Sequence, residues 1–287
     1  MGSPWGTGRR CAVLGSPIAH SLSPTLHQAA YARLGLDWRY DAFEVDEGGL
    51  PGFLDSLDPS WRGLSLTMPL KRVVIPLCDE VSELARRVGA VNTLLLDEGR
   101  RVGANTDVPG LVAALRERGV AAVTSALLLG VGATACSAMA AFAELGIARV
   151  HAVARDPARA GELCALAADV GIEVSVVPWA EATEVPSVDL AVSTVPEAAA
   201  ATLADVVAER ADVVFDVLYH PWPTRLVVAA KAADRAVVGG LDLLVHQAAA
   251  QVELMTGCAP APVAEMRAAG EAALEARGPT RGVVAGD

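Results

Sequence analysis

From residue 109 onward, apolar runs of strand length alternate with Ala-rich stretches of helical period. Strands are expected at 126–129, 149–154, 173–177, 188–193, 213–217 and 236–238, with a helix ending at residue 145 and another over 157–169. Short strands without a polar face, interleaved with helices, indicate a doubly wound parallel sheet, because helices then cover both of its faces. The first hundred residues also alternate, with strands expected at 11–15, 38–45 and 63–66 and turn signals of their own, which predicts a separate α/β domain. Beyond Gly239 and Gly240 the pattern is almost purely helical, over 243–255 and 263–276. The expected fold class is α/β: an N-terminal α/β domain, a Rossmann-type parallel sheet, and C-terminal helices that return to pack on the first domain. The expected division sets 1–107 together with 241–287 against 108–240, and the end, RGPTRGVVAGD, reads as a frayed terminus.

Residues 119–143 carry no charged side chain. Roughly 20 apolar residues suffice to cross a bilayer. This stretch nevertheless contains Thr124, Ser125, Gly130, Gly132, Thr134 and Ser137 and lacks a Trp or Tyr belt. It divides into strand, glycine turn and helix, and so reads as a buried core unit rather than a membrane span. At 287 residues and 53% apolar, the chain has room for two domains and a sizeable core. Its 34 acidic and 23 basic side chains leave a net charge of −11, which argues against nucleic acid or anionic lipid as a partner. Five cysteines (Cys11, Cys78, Cys136, Cys164, Cys258) show no C-x-x-C or paired His/Cys spacing, so neither a disulfide framework nor a metal site is expected. With no apolar signal core in MGSPWGTGRR, a reducing cytoplasm is the expected compartment.

The string LLLGVGATA (127–135) puts Gly130 and Gly132, followed by Ala133 and Thr134, between a buried strand and a helix. Bare backbone there lets a pyrophosphate approach unpaired N–H groups at the helix N-terminus. Glycine turns also serve plain strand-to-helix packing, but the surrounding βαβ pattern favours a dinucleotide. At the end of the next strand stand Ala154, Arg155, Asp156 and Pro157. An N-cap before a first-position proline accounts for Asp156. Arg155, with Arg159 one turn later, is left to pair with a ribose 2′-phosphate, which selects NADP over NAD.

Composition singles out other residues. The chain has only two lysines, Lys71 and Lys231, and only two asparagines, Asn92 and Asn105. GLSLTMPLK (63–71) ends a strand and places Thr67 and Lys71 at the mouth of its sheet. Lysine can give or take a proton where arginine cannot. Lys231 lies in a polar helix and reads as a surface residue. Both asparagines stand in Asn-Thr dipeptides, in GAVNTL and GANTD, where an amide offering donor and acceptor suits a polyol. The adjacent Asp107 either caps the helix entered at Val108 or serves the same site. In GSPIAHSLSPTLH (15–27), Ser23 before Pro24 reads as an N-cap, whereas Ser21 has no structural duty. Two hydroxyls beside a helix N-terminus suit a carboxylate. His20 and His27 are acid–base candidates by type, but His27 reads as packed or capping, and His220 and His246 show no partner; catalysis is assigned to none of them.

Together these residues resemble the shikimate dehydrogenase family, in order and over nearly the whole chain. The matching motifs are Ser21–Ser23, Thr67-x-Pro69-x-Lys71, Asn92 in GAVNT, Asn105-Thr106-Asp107, the glycine turn, Tyr219 in DVLYHPWPT and Gln247 in GGLDLLVHQAA. The resemblance implies NADP-linked reduction of 3-dehydroshikimate to shikimate in aromatic amino-acid biosynthesis, in a cleft between a discontinuous substrate domain and a Rossmann domain. It implies that Ser21 and Ser23 hold the substrate carboxylate beside Tyr219. Thr67, Asn92, Asp107 and Gln247 would bind the ring hydroxyls, and Lys71 with Asp107 would form the catalytic pair. Cofactor contacts are expected from Gly130, Gly132, Ala133, Thr134, Arg155, Arg159, Thr194, Val217 and Gly240. Two positions depart from the family pattern: Ser65 replaces Asn, and Ala154-Arg155-Asp156 replaces Asn-Arg-Thr, which removes two polar cofactor contacts. A quinate/shikimate dehydrogenase using NAD and a catalytically silent NADP-binding regulator are the rival readings. The expected assembly is a monomer or homodimer.

Overall fold

The computed structural model describes residue 4, residues 6–120 and residues 122–277. The expected frayed end therefore lies outside the described residues, except for Arg277, the last residue of a helix. The strands form two six-stranded sheets. The first contains β1 (Arg10–Gly15), β2 (Arg39–Glu44), β3 (Trp61–Leu66), β4 (Glu80–Val81), β5 (Thr93–Asp97) and β6 (Arg100–Ala104), in the order β2-β1-β3-β5-β6-β4. β1 lies parallel to β2 and β3, while β5 runs antiparallel to β3 and β6.

The sequence pattern suggests three strands here, and the β5–β6 hairpin with the short β4 is an addition. Its two-residue turn is Glu98-Gly99, both at positive φ as a primed hairpin turn requires. Glu-Gly is not one of the dipeptides that announce such a turn, and the Leu94–Leu96 run does not alternate.

The second sheet contains β7 (Ser125–Leu129), β8 (Arg149–Ala154), β9 (Glu173–Pro178), β10 (Val188–Ser193), β11 (Ala211–Asp216) and β12 (Ala236–Val238). Every neighbouring pair is parallel, and the order is β12-β11-β10-β7-β8-β9. Counted within the sheet this is the dinucleotide-binding strand order, reversing direction between β7 and β10, where ligands collect beyond the strand ends. The uncharged stretch contributes β7 and the buried helix Ala133–Leu145. The stretch expected to be one helix over 157–169 divides into a 3-10 turn, Pro157–Ala160, and a helix, Gly161–Asp169. β11 ends one residue early, which releases Val217 from the sheet.

The C-terminal helices Gly240–Thr256 and Val263–Arg277 return to the first sheet as expected. Val245, Ala248, Val252, Met255 and Met266 join Cys11, Val13, Leu26, Tyr31 and Tyr40 in one core cluster. Burying each larger apolar side chain contributes about 1.5–3 kcal/mol, enough to bring the tail back across the molecule. Arg33 pairs with Glu265 on its surface at 2.7 Å. On the opposite side, Arg72 pairs with Glu162, and Arg87 with Asp169 at 3.3 Å, joining the first half to helix Gly161–Asp169. No helix among the described residues is long and apolar enough to cross a membrane.

Candidate active site

A turn after β3 leads into the short helix Leu70–Val73, which carries Lys71. Asp107 is the first residue of helix Asp107–Glu117. Its carboxylate is not consumed in capping, because Asn105 Oδ1 accepts the N–H of Val108 at 3.1 Å instead. Lys71 Nζ donates to Asp107 Oδ2 at 2.7 Å, the two side chains being only 16% and 8% exposed. Asn92 Nδ2 donates to the other carboxylate oxygen at 2.8 Å. The orientation of that amide is settled on its far side, where Oδ1 accepts the backbone N–H of Thr106 at 2.8 Å and the hydroxyl of Thr93 at 2.9 Å. Lysine, aspartate and asparagine from three separate segments thus form one hydrogen-bonded row, lining a cavity of about 280 Å³.

All eight residues expected at the substrate line this cavity: Ser21, Ser23, Thr67, Lys71, Asn92, Asp107, Tyr219 and Gln247. The two serines exchange the roles read from the sequence. Ser21 Oγ accepts the backbone N–H of Ser23 at 3.3 Å, while Ser23 makes no capping bond and is buried against the cavity. Gln247 Nε2 donates to Leu244 O at 2.9 Å, and its Oε1 lies 3.5 Å from Asn92 Nδ2. Burial pushes the Tyr219 phenol above its ordinary pKa, with Arg277 acting in the opposite direction.

Asn105 is a correction to its expected place in the cleft. Its amide donates to Ala90 O at 3.0 Å and its oxygen caps the helix, so it supports the backbone of the site without lining it. Gln251 and Ser65 line the cavity, although neither was expected to. Gln251 Nε2 donates to Asn92 O at 3.2 Å and Thr93 Oγ1 at 3.1 Å. Its Oε1 accepts the Ser65 hydroxyl at 2.7 Å, and Ser65 accepts that of Tyr40 at 2.5 Å. One signal did point to Gln251: it lies four residues after Gln247, on the same helix face.

The cofactor-side residues converge at the switch point of the second sheet. Gly130 has φ +105°, and a Cβ on it would lie 2.6 Å from Thr194 Oγ1. Thr194, just past β10, in turn donates to Leu129 O at 2.8 Å. Gly132 starts helix Ala133–Leu145 without a side-chain cap, and nothing within 4 Å would meet a Cβ there. The first N–H groups of that helix thus have no side-chain cap, and the glycine leaves room beside them, which fits a pyrophosphate. Asp156 caps the following turn by accepting the N–H of Ala158 at 3.1 Å, as expected. Arg155 and Arg159 are exposed and have no intramolecular ion pair among the described residues, which fits an incoming 2′-phosphate. Thr134, Val217 and Gly240, expected at the cofactor, line the same cavity as the eight substrate-side residues. A Cβ at Gly240 would overlap Val217 O and lie 2.5 Å from Leu218 O, so only glycine lets helix Gly240–Thr256 start this close to the loop.

Residues 13–94 match the family model for the shikimate dehydrogenase substrate binding domain, and residues 240–269 match the one for the shikimate 5′-dehydrogenase C-terminal domain. Over 260 residues the chain is 38% identical to a shikimate dehydrogenase (NADP(+)) of Thermus thermophilus, covering 88% of this chain and 94% of that protein. The chain belongs to the shikimate dehydrogenase family. Among solved structures, the shikimate dehydrogenase of Mycobacterium tuberculosis matches with a TM-score of 0.85 and 39% identity, over 92% of this chain and 99% of that one. The shikimate 5-dehydrogenase of T. thermophilus, solved in complex with NADP(H) and shikimate, gives a TM-score of 0.80 at 36% identity, over 93% and 100% of the two chains.

The family models span Ser21, Ser23, Thr67, Lys71, Asn92 and Gln247, while Asp107, the glycine turn and Tyr219 lie between them. Among the described residues no histidine is hydrogen-bonded to the row described above, although His20 lines the same cavity. His27 is fully buried, stacks on Tyr40 at 3.9 Å between ring centroids, and is held by burial at a pKa of about 3, hence neutral. Two expectations are corrected here: His220 stacks on His20 at 5.3 Å, and His246 lies 2.9 Å from Glu117 Oε2.

Proposed function

We propose that this chain is an NADP-dependent oxidoreductase that interconverts 3-dehydroshikimate and shikimate, in the pathway to the aromatic amino acids. One observation carries the reading: the Lys71–Asp107–Asn92 row lies in a cavity whose wall includes Thr134, from the cofactor turn. The T. thermophilus relative that carries NADP(+) in its name, and was solved with NADP(H) and shikimate, supports it.

NADPH, when bound, supplies the hydride that reduces the ketone carbon. Gly130, Gly132 and the N–H groups of Ala133 and Thr134 would hold its pyrophosphate, and Arg155 and Arg159 its 2′-phosphate. Lys71 donates a proton to the ketone oxygen in reduction and takes it back in oxidation. Its ammonium also stabilises the developing alkoxide. Asp107 holds Lys71 in place and accepts from a neighbouring ring hydroxyl. Asn92, Thr67 and Gln247 orient the ring, and Ser21, Ser23 and Tyr219 receive its carboxylate.

The same reading assigns 1–107 with 241–287 to substrate binding and 108–240 to NADP. It places a monomer or homodimer in the cytoplasm, where the five free thiols would remain reduced. The test is a spectrophotometric assay of shikimate and quinate, each against NADP and NAD. Shikimate with NADP should give the highest kcat/KM. A preference for quinate with NAD would make the chain a catabolic enzyme, and binding of NADP without turnover would make it a regulator; either result refutes the proposal.

A further inference from the structure

The segment 217–224, between β11 and helix Arg225–Ala232, carries more of the site than its length suggests. Val217 and Tyr219 line the substrate cavity, and His220 stacks on His20 from the first half of the chain. A loop without regular structure needs something to hold it in shape, and one side chain reaches both of its ends. Asp216, the last residue of β11, has no solvent exposure. Its Oδ1 accepts the N–H of Leu218 at 3.2 Å, and its Oδ2 accepts the hydroxyl of Thr224 at 2.7 Å. Thr224 Oγ1 also accepts the N–H of Val227 at 3.2 Å, capping the helix that follows. The start of the loop, its end and the next helix are thus referred to one carboxylate.

We infer that Asp216 is a positioning residue for the reaction proposed above: its carboxylate holds 217–224 so that Val217 and Tyr219 face the ligands. This rests on that proposed reaction. Among the described residues no cation pairs with this carboxylate; burying it so is an expensive way to close a loop, and groups kept in such environments concentrate at functional sites. Burial raises its pKa to about 6, opposed by the Thr224 and Leu218 hydrogen bonds and reinforced by Glu197 on helix Glu197–Ala200. From the following helix, the backbone N–H of Arg225 points to Glu197 at 3.5 Å while its guanidinium is paired with Asp205. His220 is the ionisable imidazole of the loop itself. Once protonated, the Asp216 carboxyl keeps one good acceptor oxygen for its two donors, so the two ends of the loop are held less firmly than by the carboxylate.

The test uses wild type, Asp216→Asn and Thr224→Val. The asparagine keeps an acceptor for Leu218 and resembles the protonated acid; the valine cuts the far-end bond, together with the Val227 cap, and leaves the carboxylate. Both variants should raise KM for shikimate about tenfold, the factor expected when a hydrogen bond to a charged group is lost, with kcat within about threefold. In wild type KM should rise as pH falls below about 6, and in Asp216→Asn that rise should disappear. Hydrogen exchange over 217–224 should be faster in both variants, a readout that needs no turnover and holds even if the substrate proposed above is wrong. If Asp216→Asn fails to fold, Thr224→Val and the wild-type profile decide. Unchanged KM and unchanged exchange in Thr224→Val would overturn the inference, as would a loss confined to kcat.

Discussion

Replacing Lys71 by alanine tests the site most directly. The ammonium lies 2.7 Å from a carboxylate that is only 8% exposed, so its loss removes both the proton donor and the charge opposite Asp107. General acid–base groups contribute roughly 10²–10⁴-fold, which at 1.36 kcal/mol per decade corresponds to about 3–5 kcal/mol of barrier. Steady-state measurement of NADPH absorbance with 3-dehydroshikimate should therefore show kcat at least about 100-fold lower and KM within about threefold of wild type. Asp107 keeps its bond from Asn92 but loses its counter-charge, so a stability loss of about 1–3 kcal/mol should accompany the change and be measured by urea unfolding. Lys71→Arg should leave kcat low, because a guanidinium retains charge and hydrogen bonds but does not release a proton. If Lys71→Ala kept kcat near wild type and raised KM alone, Lys71 would be a binding group and the proton would have to come from elsewhere.

Three further outcomes are expected. Removing Arg155 or Arg159 should raise KM for NADP by about tenfold or more and leave KM for NAD unchanged, since each guanidinium would pair only with the 2′-phosphate; equal losses with both cofactors would show that they read something else. Gly240→Ala should destabilise the protein by about 1–3 kcal/mol or more in chemical unfolding, because the added methyl overlaps the carbonyls of Val217 and Leu218; a wild-type midpoint would mean that the loop yields freely. His27 is neutral in the folded protein, with a pKa of about 3 against about 6.5 unfolded, so its contribution is full above pH 6.5 and is lost as pH falls toward 3. The stability difference between wild type and His27→Phe should shrink by about 3 kcal/mol from pH 7 to pH 4; a pH-independent difference would contradict this.

Much of this was legible in the sequence, for local reasons. A parallel sheet covered on both faces must be built from apolar runs, so β7, β8 and β10 are visible as such in the chain. A pyrophosphate site needs bare backbone before a helix, so Gly130 and Gly132 announce it. In a chain that otherwise uses arginine, Lys71 stands out by composition alone. The tertiary structure decided what depends on segments distant in the chain. Whether Asp107 caps a helix or holds Lys71 turned on Asn105, which took over the cap. Which serine accepts a backbone N–H turned on where helix Ser23–Leu34 starts, with Leu22 rather than Ser23 in the capping position. Gln251 became part of the site because the tail carries its helix back onto β3 and β5, where Ser65 and Thr93 meet it. Residue type and short spacing can be read one stretch at a time, whereas a hydrogen-bond partner a hundred residues away exists only once burial of apolar surface has folded the chain.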